Sequence, residues 1–154
     1  METHGRPPRL KGWDYARSGG YFVTFVVAGR HAVLRDPTGQ LTPVGRIVEG
    51  VWERLPSLYP RVTLDEMIVM PEHVHAVIWL TDRMAPRVTL GEVVRGWKAS
   101  SCRQARLVLS TFAWQSHYHD RVVRSQTALT QIKRYIQENR LSLLDRRDSS
   151  RPDL

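Results

Sequence analysis

Two runs of β-branched and apolar residues, 62–70 and 73–80, are separated only by Pro71-Glu72. So short a break leaves no length for a crossover connection, and the two runs must fold back on each other as an antiparallel hairpin. In the second run successive side chains fall on opposite faces. Val74, Ala76, Ile78 and Leu80 make one continuous apolar side, while His73 and His75 project together from the other. A chain built around this hairpin is committed to a sheet with at least one face in a core.

The flanking sequence supplies the rest of an α+β domain. Residues 21–27 (YFVTFVV) form a short β-branched and aromatic run, the pattern of a buried strand. Asp36-Pro37-Thr38-Gly39 is a turn, and Thr42 with Pro43 predicts a helix start. Ile47, Val48, Val51, Trp52 and Leu55 then recur at helical spacing up to Pro56. Thr89-Leu90-Gly91-Glu92 is a capping box opening a second helix, with Leu90, Val93, Val94 and Trp97 inward. Residues 112–123 read as a fourth extended segment. Ser125 begins a last helix through about residue 143, with Leu129, Ile132, Tyr135, Ile136 and Leu143 on one stripe. Strand, helix, strand, strand, helix, strand is the split βαβ order of a ferredoxin-like sandwich, here with an added C-terminal helix. The expectation is a single domain over 1–154, with a polar arm at 1–19 and a charged tail at 146–154 that frays.

Composition narrows the partner. The net charge is +8, and 20 of the 23 basic residues are arginine. The excess favours a polyanion, and arginine's forked, stacking guanidinium suits nucleic acid. A host bias towards arginine codons would account for the ratio, though less well for the net charge. No apolar run approaches the ~20 residues of a membrane span. The polar N-terminus carries no signal-peptide core, and the lone Cys102 cannot form an internal disulfide. A cytoplasmic, nucleoid-associated setting is therefore expected. Arg95, Lys98, Arg103 and Arg106 share much of one side of the second helix and are candidates for DNA-backbone contact, or an ordinary solvated face. Trp13, Tyr15 and Trp114 are either base-stacking platforms or core anchors.

His73 and His75 on one strand face can hold one metal through neutral imidazole nitrogens, or can simply be histidines on a solvated face. Tyr135 and Asn139, four apart on the last helix, are neighbours on its surface. Tyr135 could equally be a core residue and Asn139 a helix-terminal one. If that helix packs beside the histidines, a metal there would see two imidazoles and one amide oxygen. Such a set leaves positions open, unlike a closed structural zinc site, and suits Mg²⁺ or Mn²⁺ bridging to a phosphate. Glu72 could orient an imidazole from behind, and His119 is a surface histidine or a helper near the site.

Met70-Pro71-Glu72-His73-Val74-His75 resembles the MPxHxH segment of the HUH single-tyrosine transposases. Trp114-Gln115, Tyr118-His119-Asp120 and Val123-Arg124 resemble that family's WQxxYxxxxIR stretch, and Arg134-Tyr135-Ile136-Gln137-Glu138-Asn139 its RYIxxN segment. Gly12-Trp13-Asp14-Tyr15, Gly20-Tyr21-Phe22-Val23-Thr24 and Val94-Arg95-Gly96-Trp97-Lys98 are similar to the REP-associated tyrosine transposase branch. The likeness runs in order over roughly residues 9–144, counting motifs along a chain of ordinary domain size. It implies a tyrosine helix lying against the sheet, metal binding by His73 and His75 with Asn139 as third ligand, and Tyr135 as the nucleophile. The reaction implied is cutting and rejoining of single-stranded, hairpin-containing DNA through a 5′-phosphotyrosine link with Mg²⁺ or Mn²⁺. Arg140 stands where that branch carries proline, so the path of the chain after Asn139 is open. Monomer and helix-exchanged homodimer both remain open. A catalytically inactive relative that binds structured DNA as a regulator is the main alternative. An RNA-binding module would need an RNP1-like aromatic pattern, and a zinc protein more cysteines or histidines; the sequence has neither.

Overall fold

The computed structural model describes residues 14–15, 18–81 and 87–149, the last few without their side chains from 146 on. Most of the expected N-terminal arm, Trp13 included, and residues 150–154 lie outside the described residues. The elements are β1 (Gly19–Val26), a 3-10 turn (Ala28–Arg30), α1 (Pro43–Glu53), α2 (Leu55–Leu58), β2 (Val62–Val69), β3 (His73–Leu80), α3 (Leu90–Ala105), β4 (His119–Val123) and α4 (Gln126–Ser149). The sheet order is β2-β3-β1-β4, antiparallel at every pairing. This is the ferredoxin-like arrangement expected, with α4 added.

Local signals place the elements. Thr42 Oγ1 accepts from Gly45 N at 3.1 Å, starting α1, and Thr89 Oγ1 accepts from Glu92 N at 3.1 Å, starting α3. Ser125 Oγ accepts from Ala128 N at 3.0 Å at the head of α4. Pro56 does not end the helical chain outright: it sits in the first turn of the one-turn α2, after a break at Arg54.

The sheet has two covered faces, and this is what builds the site. On one face Tyr21, Val23 and Phe25 of β1 and Val74, Ala76, Ile78 and Leu80 of β3 pack against Val48 and Trp52 of α1 and Val93 and Trp97 of α3. On the other, α4 lays Ile132, Ile136 and Leu143 over Ile68, Met70 and Val77, with Phe22, Trp79, Val123 and Leu129 at the margin. Full burial of a side chain such as Ile136 stabilises by about 1.5–3 kcal/mol, so this smaller cluster is enough to seat a helix.

A register shift between Leu64 and Met67 breaks the β2–β3 ladder. Within it Asp65 accepts from Trp79 Nε1 at 2.9 Å and pairs with Lys133 Nζ of α4 at 3.4 Å. Burial alone would raise the Asp65 pKa, but the bonds from Trp79 and Glu66 N, with Lys133, outweigh it and lower it. The bulge thus gives α4 a polar anchor beside its apolar one.

Two boundaries differ from the sequence expectation. The extended segment at 112–123 is a strand only over His119–Val123. Its first part turns inward instead: Phe112 and Trp114 are buried, and Trp114 makes only an isolated bridge to Val27. Helix α4 does not stop near residue 143 but continues to Ser149, into the segment expected to fray. Arg140 in place of proline permits this, since it keeps a backbone N–H and has no ring to clash with the preceding turn.

Candidate active site

His73 and His75 share the face of β3 covered by α4. His75 is buried, 5% exposed, and the two rings stand 4.7 Å apart at 68°. Burial, then the neighbouring His73, lowers the His75 pKa to about 4. The His73 pKa is lowered too, by burial first, with Glu72 pulling it up and Arg30 pushing it down. Both imidazoles are therefore neutral at neutral pH, the form in which a ring nitrogen can donate a lone pair to a metal.

His75 is held from three sides. Across the β1–β3 ladder it pairs with Thr24, whose Oγ1 lies 2.8 Å from His75 Nδ1. Phe22, two residues along β1, stacks on the imidazole at 5.5 Å and 21°. Tyr135 approaches from α4, its ring centroid 5.1 Å from that of His75 and 6.3 Å from that of Phe22. Two buried nitrogens in this cluster, His73 Nδ1 and His75 Nε2, have no hydrogen-bond partner among the described residues. Glu72 Oε1 is 3.9 Å from His73 Nδ1, too far for a hydrogen bond. That carboxylate is engaged by Arg30 Nη2 at 2.9 Å, so Glu72 holds an arginine beside the histidines more than it orients an imidazole. Arg30 has a left-handed backbone, φ 53°, a strained conformation that clusters at functional sites.

Tyr135 is not a core residue. Its neighbours Ile132 and Ile136 carry the burial, while Tyr135 is 46% exposed at the rim of the helix contact. The ring thus leans on His75 and stays open to solvent. The phenol and both imidazoles come together within this one chain. Asn139 follows one turn on. Its Nδ2 donates to Tyr135 O at 2.9 Å, which leaves the carboxamide oxygen, the end a cation would use, outside that bond. Arg140 Nη2 reaches Met67 O at 3.4 Å, a further tie between α4 and β2. His119 lies across β1 from His75, opposite Thr24 and on the same face, exposed.

The donor set fits an open divalent site. Among the described residues no group of three His, Cys, Asp or Glu comes together, so a fully protein-closed zinc site of those types is not formed. Among the described residues, what is present is a pair of neutral imidazoles, each with one buried nitrogen lacking a partner, beside a phenol, with the Asn139 amide one helical turn along from that phenol.

The basic candidates of α3 lie on the opposite face of the sheet. Arg95, Lys98 and Arg106 line a cleft of about 580 Å³ with Trp114, Ser116 and Tyr118; Arg103 is not part of its lining. Lys98 Nζ donates to Gln115 O at 2.7 Å and Arg106 Nε to Phe112 O at 2.8 Å. Burial, with a small opposing pull from Cys102, lowers the Lys98 pKa. Of the aromatic platforms considered, Trp114 is 8% exposed and donates Nε1 to Ser101 Oγ, and Tyr15 stacks on buried Tyr21. Both serve the core.

Sequence reasoning missed Phe22, Thr24 and Arg30. The signal for Thr24 was there: a polar residue inside an otherwise apolar strand run, in step with Phe22. Which strand would lie beside the histidines was not.

The chain matches no protein-family model. It is 28% identical, over 158 residues covering 88% of each chain, to an uncharacterized protein of Haemophilus influenzae. Among solved structures it is similar to a REP-associated tyrosine transposase bound to a REP hairpin, with a TM-score of 0.67 at 18% identity, covering 88% of this chain and 74% of that one. It is also similar to a putative transposase from Deinococcus radiodurans, with a TM-score of 0.50 at 20% identity, covering 86% of this chain and 97% of that one. This chain has the fold of the REP-associated tyrosine transposase, the branch its ordered sequence motifs resemble.

Proposed function

We propose that the chain is a metal-dependent single-strand DNA endonuclease and strand transferase, with Tyr135 as covalent nucleophile and hairpin-containing DNA as substrate. The observation that carries this reading is the approach of the Tyr135 ring to His75, centroids 5.1 Å apart, where two buried imidazole nitrogens lack partners among the described residues. A histidine pair on a bland solvated face would be neither buried nor covered by a half-exposed phenol.

His73 and His75, with the Asn139 carboxamide oxygen, would hold Mg²⁺ or Mn²⁺. The cation, when bound, supplies polarisation of the phosphate and offsets charge developing on a phenol whose ordinary pKa is about 10. The chain supplies the rest. The Tyr135 oxygen attacks phosphorus, the bond from phosphorus to the 3′ oxygen breaks, and the 5′ phosphate stays on Tyr135 as an ester. The phenol gives up its proton to solvent, and the leaving 3′ oxygen takes one up. Attack by a 3′-hydroxyl of another strand reverses these exchanges, restores the phenol and joins new ends. The ester keeps the phosphodiester's energy, so no ATP is needed. Arg30, beside His73, offers a guanidinium to the strand's phosphates. The Arg95, Lys98 and Arg106 cleft offers further backbone contacts. A hairpin is proposed because the similar transposase was solved bound to one. The proposed setting is the cytoplasm, at the nucleoid.

The test is a labelled hairpin oligonucleotide with a single-stranded flank, incubated with Mn²⁺ and resolved on a denaturing gel. Wild type should give a protein–DNA adduct, and Tyr135→Phe should give none while still binding. Binding by wild type without any adduct would replace this reading with that of an inactive DNA-binding regulator.

A further inference from the structure

The imidazole of His75 has two ring nitrogens with different surroundings. Nδ1 faces the hydroxyl of Thr24 at 2.8 Å, and Nε2 is buried with no partner among the described residues. A threonine hydroxyl can donate or accept, so two arrangements are open. If Thr24 donated to Nδ1, the ring hydrogen would sit on Nε2, a buried N–H that no described residue accepts. Such orphaned donors are rare in folded proteins. If instead Nδ1–H donates to Thr24 Oγ1, Nε2 presents a lone pair, which a cation can complete.

We propose that Thr24 is a positioning residue that holds His75 as the Nδ1–H tautomer, so that Nε2 is the nitrogen offered to the divalent cation. This rests on the metal-binding role proposed for His75. The backbone supports it independently: Thr24 and His75 are direct partners in the β1–β3 register, so the ladder itself fixes the spacing of hydroxyl and ring. Phe22 stacks on one ring face and Tyr135 meets the ring from α4, which restrains rotation of the imidazole and exchange of its two nitrogens. Histidines that bind metals commonly give their second N–H to a carboxylate or a backbone carbonyl. Here a hydroxyl on the neighbouring strand does that work, and no carboxylate is needed behind His75.

The test uses the full chain labelled with ¹⁵N-histidine, free of metal, and long-range ¹H–¹⁵N correlation spectra, which report which ring nitrogen carries the hydrogen. Wild type should show His75 protonated at Nδ1. Thr24→Val keeps the β-branched shape and removes the hydroxyl; its His75 should move towards the Nε2–H form that free imidazole side chains prefer. Thr24→Ser should restore the wild-type pattern. In parallel, Mn²⁺ affinity measured by calorimetry should fall about 10- to 100-fold in Thr24→Val and recover in Thr24→Ser. A wild-type His75 carrying its hydrogen on Nε2 overturns the proposal, as does a Thr24→Val protein with unchanged tautomer and unchanged Mn²⁺ affinity. Should wild type show the Nδ1–H form, sensitive to Thr24, yet bind no Mn²⁺ at all, the metal reading fails while the hold of Thr24 on the ring stands. The two failures are thereby distinguishable.

Discussion

Protonating His75 should destabilise the fold by a calculable amount. The side chain is 5% exposed, and its pKa falls from 6.5 to about 4 on folding, chiefly because burial penalises the charged ring. A folded pKa below the unfolded one means that the unfolded chain takes the proton more readily. The stability contributed by the neutral ring is therefore intact above pH 6.5 and lost as pH falls towards 4. At about pH 5 the loss reaches roughly 2 kcal/mol, and near the folded pKa it approaches roughly 3 kcal/mol. The lowered Asp65 pKa costs stability only below its ordinary 3.8, and the raised Glu49 pKa acts in the opposite sense within the window but equally in both proteins compared. The assay is urea unfolding in EDTA near neutral pH and at about pH 5, for wild type and His75→Gln. A loss of roughly 2 kcal/mol moves a urea midpoint by about 1 M in a domain of this size. Wild type should show that shift and His75→Gln should lack most of it, with His73 supplying a smaller remainder. Equal shifts in the two proteins, or none in wild type, would refute burial of a neutral His75 as the cause.

Two further outcomes follow from the packing and the charge. Ile136 is fully buried at the centre of the α4 contact, so Ile136→Ala should cost about 2–5 kcal/mol in urea unfolding and expose α4 to limited proteolysis. A cost under about 1 kcal/mol would mean that Asp65, Lys133 and Arg140, not the apolar cluster, seat the helix. If Arg95 and Arg106 meet DNA phosphates, replacing either by alanine should reduce the slope of log affinity against log salt by about 0.7–0.9 in a hairpin-binding titration. An unchanged slope would leave the α3 cleft outside the DNA path, and Arg103→Ala, outside that cleft, serves as the comparison.

The strand and helix order, the hairpin at Pro71-Glu72, the caps at Thr42 and Thr89 and the start of the last helix at Ser125 were all legible in the sequence, because each depends on residues a few positions apart. So was the alternation that sends His73 and His75 to the face opposite Val74 and Ala76. Local pattern was less able to say where an element ends when a distant contact decides it. Residues 112–118 read as strand, but the core on the α3 side draws Phe112 and Trp114 inward before β4 begins. Similarly, the spacing of the four basic residues of α3 put several on one side, and packing against the segment around Gln115 engaged Lys98, while Arg103 is not part of the cleft lining. What the sequence determined by itself is the chemistry available: two imidazoles in step on a strand, and a phenol and an amide one turn apart on a helix. Only tertiary structure decided that the imidazoles and the phenol meet. The imidazoles and the phenol are about 60 residues apart in the chain, and no local rule reaches that far. Their approach depends on α4 folding back over the sheet face opposite α1 and α3, where its apolar stripe has somewhere to be buried.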